Sequence, residues 1–294
     1  MGEITDALRR SRHESRASGE LPSRADPEAR PGWPVETPAR PPAAAEAAPD
    51  ARAVAEISRT TARAWTARAV LVAEQQVVAE NFRQFALQVR PLIERRANRA
   101  VLVTSALRLE GKTTTASNLS LALASLAAER RIALVDLDTR RPSIGWGFDI
   151  RPAVGIDRVL TGEATLAAAR IRTDVPALDV FAVETPRSNA HELLSGQRLP
   201  QVLRELCEGY DTVVIDGPPV LLVPDPLLIL PHVGSCIAVA RSGLTLRSAF
   251  REMLSRLPED RLIGCFLNDA PVPRHARRYA SYYYSADPAA DRQS

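Results

Sequence analysis

From residue 99 onward, short apolar runs alternate with longer segments of helical spacing. The runs at 99–104, 131–136, 178–182, 211–216, 234–240 and 261–267 predict β-strands. Each is short and bounded by turn residues, as strands buried on both faces are. Strands in alternation with helical segments predict an α/β fold, a mostly parallel sheet with helices on both faces. Ahead of this block, residues 52–97 read as a leading helix. Apolar positions recur at Val70, Ala73, Val77 and Val78, then Phe82, Phe85 and Val89, which is three-and-four spacing. The pattern fails in residues 14–51, where eight prolines interrupt Ala, Arg and Glu; low hydrophobicity and repeated proline predict a disordered linker. Residues 1–13 place Ile4 and Leu8 four apart, the face of a short helix or a frayed terminus. The organisation expected is a short helix (1–13), a linker (14–51), an α/β domain with its leading helix (52–270) and a tail (271–294).

In such sheets ligands bind at the carboxyl ends of strands, so the residues just past each strand come next. The first strand runs into Ser105-Ala-Leu-Arg-Leu-Glu110-Gly111-Lys112-Thr113-Thr114, then a helical segment from Thr114 to Ala128. Strand, loop, Gly-Lys-Thr and helix form the layout of a P-loop. Backbone N–H groups and the helix dipole favour phosphate there. Lys112 is placed to reach β/γ-phosphates and the Thr113 hydroxyl to ligate Mg²⁺. Departures exist: Ala106 stands where the pattern wants glycine, and Arg108 and Leu109 occupy the middle of the loop. Leucine tolerates φ > 0 poorly, so the loop is expected either to take another path or to bind nucleotide less well. Two further strands end in acid. Val135-Asp136-Leu-Asp138-Thr-Arg140 carries two carboxylates, and Val213-Val-Ile-Asp216-Gly-Pro-Pro219 a third. Aspartates often end strands, but three in order after a Gly-Lys-Thr loop point to Mg²⁺, which accepts one or two carboxylates plus phosphate oxygens.

Composition changes the picture at four points. Lys112 is the sole lysine among 38 basic residues, retained where a compact, flexible ammonium is preferred over guanidinium. The net charge of +3, without a dense basic stripe or interleaved aromatics, gives no reason to expect nucleic acid. Cys207, Cys236 and Cys265 are widely spaced, with neither metal-ligand spacing nor an even disulfide framework. No long apolar run is present; Val220 to Leu230 is cut by Pro224, Asp225 and Pro226, so a cytoplasmic location is expected. The tail holds Tyr279, Tyr282, Tyr283 and Tyr284, four of the five tyrosines, after a basic flank of Arg274, His275, Arg277 and Arg278. That segment reads equally as a tail whose aromatics simply pack on a neighbour and as a functional one, an aromatic contact patch or a phosphate acceptor.

Together these motifs resemble the bacterial tyrosine kinases of capsule and exopolysaccharide synthesis over about residues 75–285. Asp136-Leu-Asp138-Thr-Arg140 is similar to that family's Walker A′ motif, and Ile215-Asp216-Gly-Pro218-Pro219 to its Walker B strand. Asn189-Ala-His-Glu192-Leu193-Leu194 matches a further family segment, and Leu267-Asn268 resembles the adenine-side contact. The family's Glu-x-x-Arg-x-x-Arg helix is half present, as Glu80 and Arg83 with Ala86 in the last place.

The resemblance implies a P-loop NTPase fold and an ATP- and Mg²⁺-dependent tyrosine autokinase. Glu110, Gly111, Lys112, Thr113, Thr114 and Asn268 are then expected to bind nucleotide, and Thr113, Asp138 and Asp216 to organise the metal. Asp136 is expected nearest the attacking phenol, and Tyr279, Tyr282, Tyr283 and Tyr284 are the expected phosphoacceptors on a neighbouring subunit. It further implies a homo-oligomer held at the inner face of the membrane by a chain-length regulator (polysaccharide co-polymerase). Two other readings are weaker. A partition or division-site ATPase carries a second lysine early in its loop, absent here. A non-catalytic adaptor of polysaccharide assembly is compatible with Leu109 and Ala86.

Overall fold

The computed structural model describes residues 76–126 and 129–271. The short helix expected at 1–13, the linker at 14–51, the start of the leading helix and the tyrosine cluster at 279–284 lie outside the described residues. Helix α1 (Gln76–Glu94) comes first, then β1 (Ala100–Ser105), α2 (Lys112–Leu126) and β2 (Ile132–Asp136). Short helices α3 (Ile144–Gly147), α4 (Ile156–Thr161) and α5 (Leu166–Ala169) lead to β3 (Ile171–Arg172) and β4 (Leu178–Phe181). Then follow α6 (Ala190–Ser195), α7 (Arg198–Gly209), β5 (Thr212–Asp216), α8 (Asp225–Ile229), β6 (Ser235–Arg241), α9 (Arg247–Arg256) and β7 (Leu262–Asn268).

The seven strands form one sheet in the order β3-β4-β2-β5-β1-β6-β7. All pairings are parallel except β3 with β4. Alternate residues of each central strand enter cores on opposite faces, as the two-residue period requires. Val101, Val103 and Leu134 pack with Phe82, Val89 and Ile93 of α1 and Leu119 and Leu123 of α2. Leu102, Val135 and Ile215 pack on the other face with Val202, Leu203 and Leu206 of α7 and Met253 of α9. Helix α1 is also tied to the β7 edge, where Phe82 and Phe85 each lie 4.9 Å from the Phe266 ring.

Three boundaries differ from the sequence expectation. The leading helix stops at Glu94 rather than residue 97, and it runs through Pro91. Pro91 removes a hydrogen bond to the carbonyl four residues back, which is tolerated near a helix end where water reaches the backbone. Helix α2 begins at Lys112, two residues earlier than expected, because the Thr115 N–H already bonds the Gly111 carbonyl at 2.8 Å. Strand β3, two residues long and antiparallel at the sheet edge, is too short to leave a periodic signal, and edges of this kind are kept short.

Candidate active site

The site lies where β1, β2 and β5 end side by side. Strand β5 is flanked by both others, and Asp136 at the end of β2 is in register with Asp216 at the end of β5. The chain turns from β1 into α2 through the loop Ala106–Gly111. Leu109 adopts φ +64° and Gly111 φ +93°. The loop therefore does not avoid the left-handed region at Leu109; a leucine takes it, at a cost of about 1–2 kcal/mol. Glycine is needed at 111 for a second reason: a Cβ there would stand 1.9 Å from Asn268 Nδ2. Asn268 donates that amide to the Glu110 carbonyl at 3.3 Å. The N–H groups of Lys112, Thr113 and Thr114 open α2 and have no partner within the helix, as in any first turn.

Lys112 stands among the strand-end acids. Its Nζ is 2.9 Å from Asp138 Oδ2 and 3.9 Å from Asp216 Oδ1. The Thr113 hydroxyl donates to Asp216 Oδ2 at 2.6 Å. Asp136 is turned differently. Its Oδ1 accepts the Asp138 N–H at 3.2 Å, and its Oδ2 accepts the N–H groups of Ser143 and Ile144 at 3.0 and 3.1 Å. Asp136 thus shapes the acidic loop and seats α3 as well as facing its neighbours.

The electrostatics follow from burial and crowding. Burial, then the Asp216 charge, pushes the Asp136 carboxyl well above the usual range, against the pull of the Ile144 N–H. Burial raises Asp216 to about 6 even though Lys112 and Thr113 oppose it. Burial opposes charge on Lys112, but Asp216 and Asp138 outweigh it and hold the ammonium above its ordinary pKa. One ammonium among three carboxylates leaves an excess of negative charge. Asp216 Oδ1 is buried without a hydrogen-bond partner, and such an orphan oxygen is costly unless something cationic meets it. This donor set fits Mg²⁺, a hard ion that takes few protein carboxylates and completes its shell with phosphate and water. Among the described residues no cluster of three or more His, Cys, Asp and Glu could hold a metal by itself.

Of the expected site residues, Lys112, Thr113, Asp136, Asp138 and Asp216 are brought together, and Gly111, Thr114 and Asn268 border them. The Glu110 side chain does not face this space. It is buried, with Oε2 accepting the Leu107 N–H at 2.7 Å and Oε1 the Thr245 hydroxyl at 2.6 Å, so only its backbone is available to a phosphate. Two residues escaped the sequence reading. Asp225, 1% exposed, binds Arg140 through both oxygens at 2.7 and 3.2 Å, and Arg140 also donates to the Ser188 carbonyl at 3.2 Å. The signal was there: a lone acid inside the apolar run Val220 to Leu230 needs a buried partner. Thr245 left no comparable trace. On α1, Glu80 and Arg83 pair with each other at 3.1 Å, while Ala86 is fully buried against the sheet.

A family model described as an AAA domain matches residues 110–226. Tyrosine-protein kinase YwqD of Bacillus subtilis is 29% identical over 194 residues, 65% of this chain and 80% of YwqD. The succinoglycan biosynthesis transport protein ExoP of Rhizobium meliloti is 26% identical over 233 residues, 74% of this chain but 29% of ExoP. The chain thus spans most of the shorter relative and under a third of the longer one. Among solved structures, the BceF tyrosine kinase domain is 31% identical with a TM-score of 0.60, and the match covers 66% of this chain and 78% of that domain. Fold, site order and these matches agree: the chain belongs to the bacterial tyrosine kinase family.

Proposed function

We propose that this protein is an ATP-dependent tyrosine autokinase that acts in capsule or exopolysaccharide production. The observation that carries the proposal is the convergence of Lys112, Thr113, Asp138 and Asp216 at the head of α2. Phosphoryl transfer needs little covalent chemistry from a protein; it needs positioning and charge stabilisation. The free N–H groups at the start of α2 receive the phosphates. Lys112, now paired with Asp138, exchanges that partner for β/γ-phosphate oxygens. Thr113, Asp138 and Asp216 would hold Mg²⁺, which neutralises phosphate charge when bound. Burial and the neighbouring Asp216 charge raise the proton affinity of the Asp136 carboxylate. Its Oδ1 keeps one free acceptor site, so proton removal from a phenol of ordinary pKa about 10 falls to it.

The acceptors are Tyr279, Tyr282, Tyr283 and Tyr284 of a second copy. Each phosphate adds about −1.5 to −2 charges, and several in succession loosen contacts between copies. Among the described residues no helix is long and apolar enough to cross a membrane; a chain-length regulator in the membrane serves as activator and holds the kinase at the inner face. A second reading, a weakly nucleotide-binding adaptor of polysaccharide assembly, is favoured by one observation, the strained Leu109.

The test is to incubate the purified full chain with ATP and Mg²⁺, with and without the cytoplasmic segment of its regulator, and to map phosphate by mass spectrometry. Phosphotyrosine at 279–284 is expected. Weak MgATP binding without any phosphotyrosine, with or without the regulator, would support the adaptor.

A further inference from the structure

The loop Ala106–Gly111 is poor in glycine and carries a leucine at φ +64°, yet it must present its N–H groups inward to hold phosphate. Its shape is imposed from the strands beside β1, by the turn after β6 and the end of β7. Thr245 is the centre of that contact. Its hydroxyl accepts the Arg241 N–H at 2.8 Å and donates to Glu110 Oε1 at 2.6 Å. The other Glu110 oxygen accepts the Leu107 N–H at 2.7 Å, so one buried carboxylate spans the loop and Thr245 fixes the carboxylate. Two carbonyls are held as well. The Arg241 guanidinium donates to the Leu109 carbonyl at 3.2 Å and is itself braced by Asp269 at 3.0 and 3.2 Å. Asn268 holds the Glu110 carbonyl at 3.3 Å. In a planar trans peptide the N–H points opposite to the C=O. Pinning the carbonyls of Leu109 and Glu110 outward therefore aims the N–H groups of Glu110 and Gly111 the other way.

We infer that Thr245, with Arg241 beside it, is a positioning residue for nucleotide binding. The pair holds from outside a phosphate loop whose own sequence does not favour the required conformation. The inference rests on the nucleotide-binding reading above and adds residues that touch neither phosphate nor metal. Leu109 and Thr245 are then energetically linked: the leucine resists the cradle and the threonine enforces it.

The experiment measures MgATP affinity by calorimetry on the full chain, alongside melting temperature without nucleotide. Thr245→Val keeps the shape and removes the hydroxyl; a roughly tenfold or larger rise in Kd is expected, since a buried carboxylate loses its partner. Thr245→Ser restores affinity to within about twofold. Leu109→Gly placed in the Thr245→Val background recovers roughly fivefold, because glycine takes positive φ freely. A merely structural threonine would lower the melting temperature and leave Kd unchanged, and that result overturns the inference, as does failure of the serine or the glycine to restore binding. If Thr245→Val does not fold, Arg241→Gln replaces it; a raised Kd supports the inference and an unchanged Kd overturns it. Should the wild type itself not bind MgATP, the nucleotide reading falls and takes this inference with it. A binding wild type with an equally tight valine variant sinks this inference alone.

Discussion

Replacing Asp216 by asparagine should stabilise the nucleotide-free protein while destroying its metal site. The structure sets the size of the effect. Asp216 is raised from 3.8 to about 6, chiefly by burial, and at about 1.4 kcal/mol per unit this corresponds to about 3 kcal/mol. The sign follows from a raised folded-state value: the folded protein holds this proton more tightly than the unfolded chain. The stability this carboxyl contributes is full below pH about 3.8 and is lost as pH rises through about 6. Asparagine avoids that loss and still offers Thr113 an oxygen to donate to. The attraction for Lys112 at 3.9 Å is already contained in that value, so a gain of about 3 kcal/mol at neutral pH is expected. For a domain of this size that is a rise of about 6–12 °C in melting temperature. The assay is denaturant unfolding of wild type and Asp216→Asn in chelator, at several pH values. The gap between them should shrink to about a third by pH about 4.5. Adding MgATP should raise the wild type's melting temperature and leave the variant's unchanged. An asparagine variant less stable than wild type at neutral pH, or a gap indifferent to pH, would refute the reasoning.

Two other substitutions separate roles in and around the acidic loop. Asp225→Ala leaves a partly exposed Arg140 guanidinium without its bidentate partner and should cost about 1–2 kcal/mol by urea unfolding, between the values for surface and buried pairs; a loss below about 0.5 kcal/mol would deny Arg140 its anchoring role. Asp136→Asn should lower phosphotransfer by at least about 100-fold while MgATP affinity stays within about threefold, as expected for a proton acceptor; an equal loss of nucleotide affinity would reassign Asp136 to loop shaping alone.

The fold was legible in the chain because its signals are local. Val101 to Val103, Ile132 to Val135 and Val213 to Ile215 are continuous apolar runs, each ending in a polar turn, and these three are strands of the sheet, as are the runs at 178–182, 234–240 and 261–267. The edge strand Ile171–Arg172 was not legible, since two residues carry no period. At the site, Lys112, Asp136, Asp138 and Asp216 could be found because each sits at a strand or loop end that topology brings to one place. Glu110 could not be placed, because whether a loop carboxylate faces phosphate or protein depends on Thr245, 135 residues away. Ala86 looked like a missing charge in a surface motif, and its full burial against the sheet explains why an arginine is absent there.

Lys112 and the strand-end aspartates are proposed to form one MgATP site. Titration calorimetry of MgATP into the wild type and Lys112→Ala, each repeated without Mg²⁺, tests it most directly. Saturable binding by the wild type is expected, weakened at least about tenfold when either the ammonium or the metal is withdrawn. Equal affinity in all four titrations would contradict it.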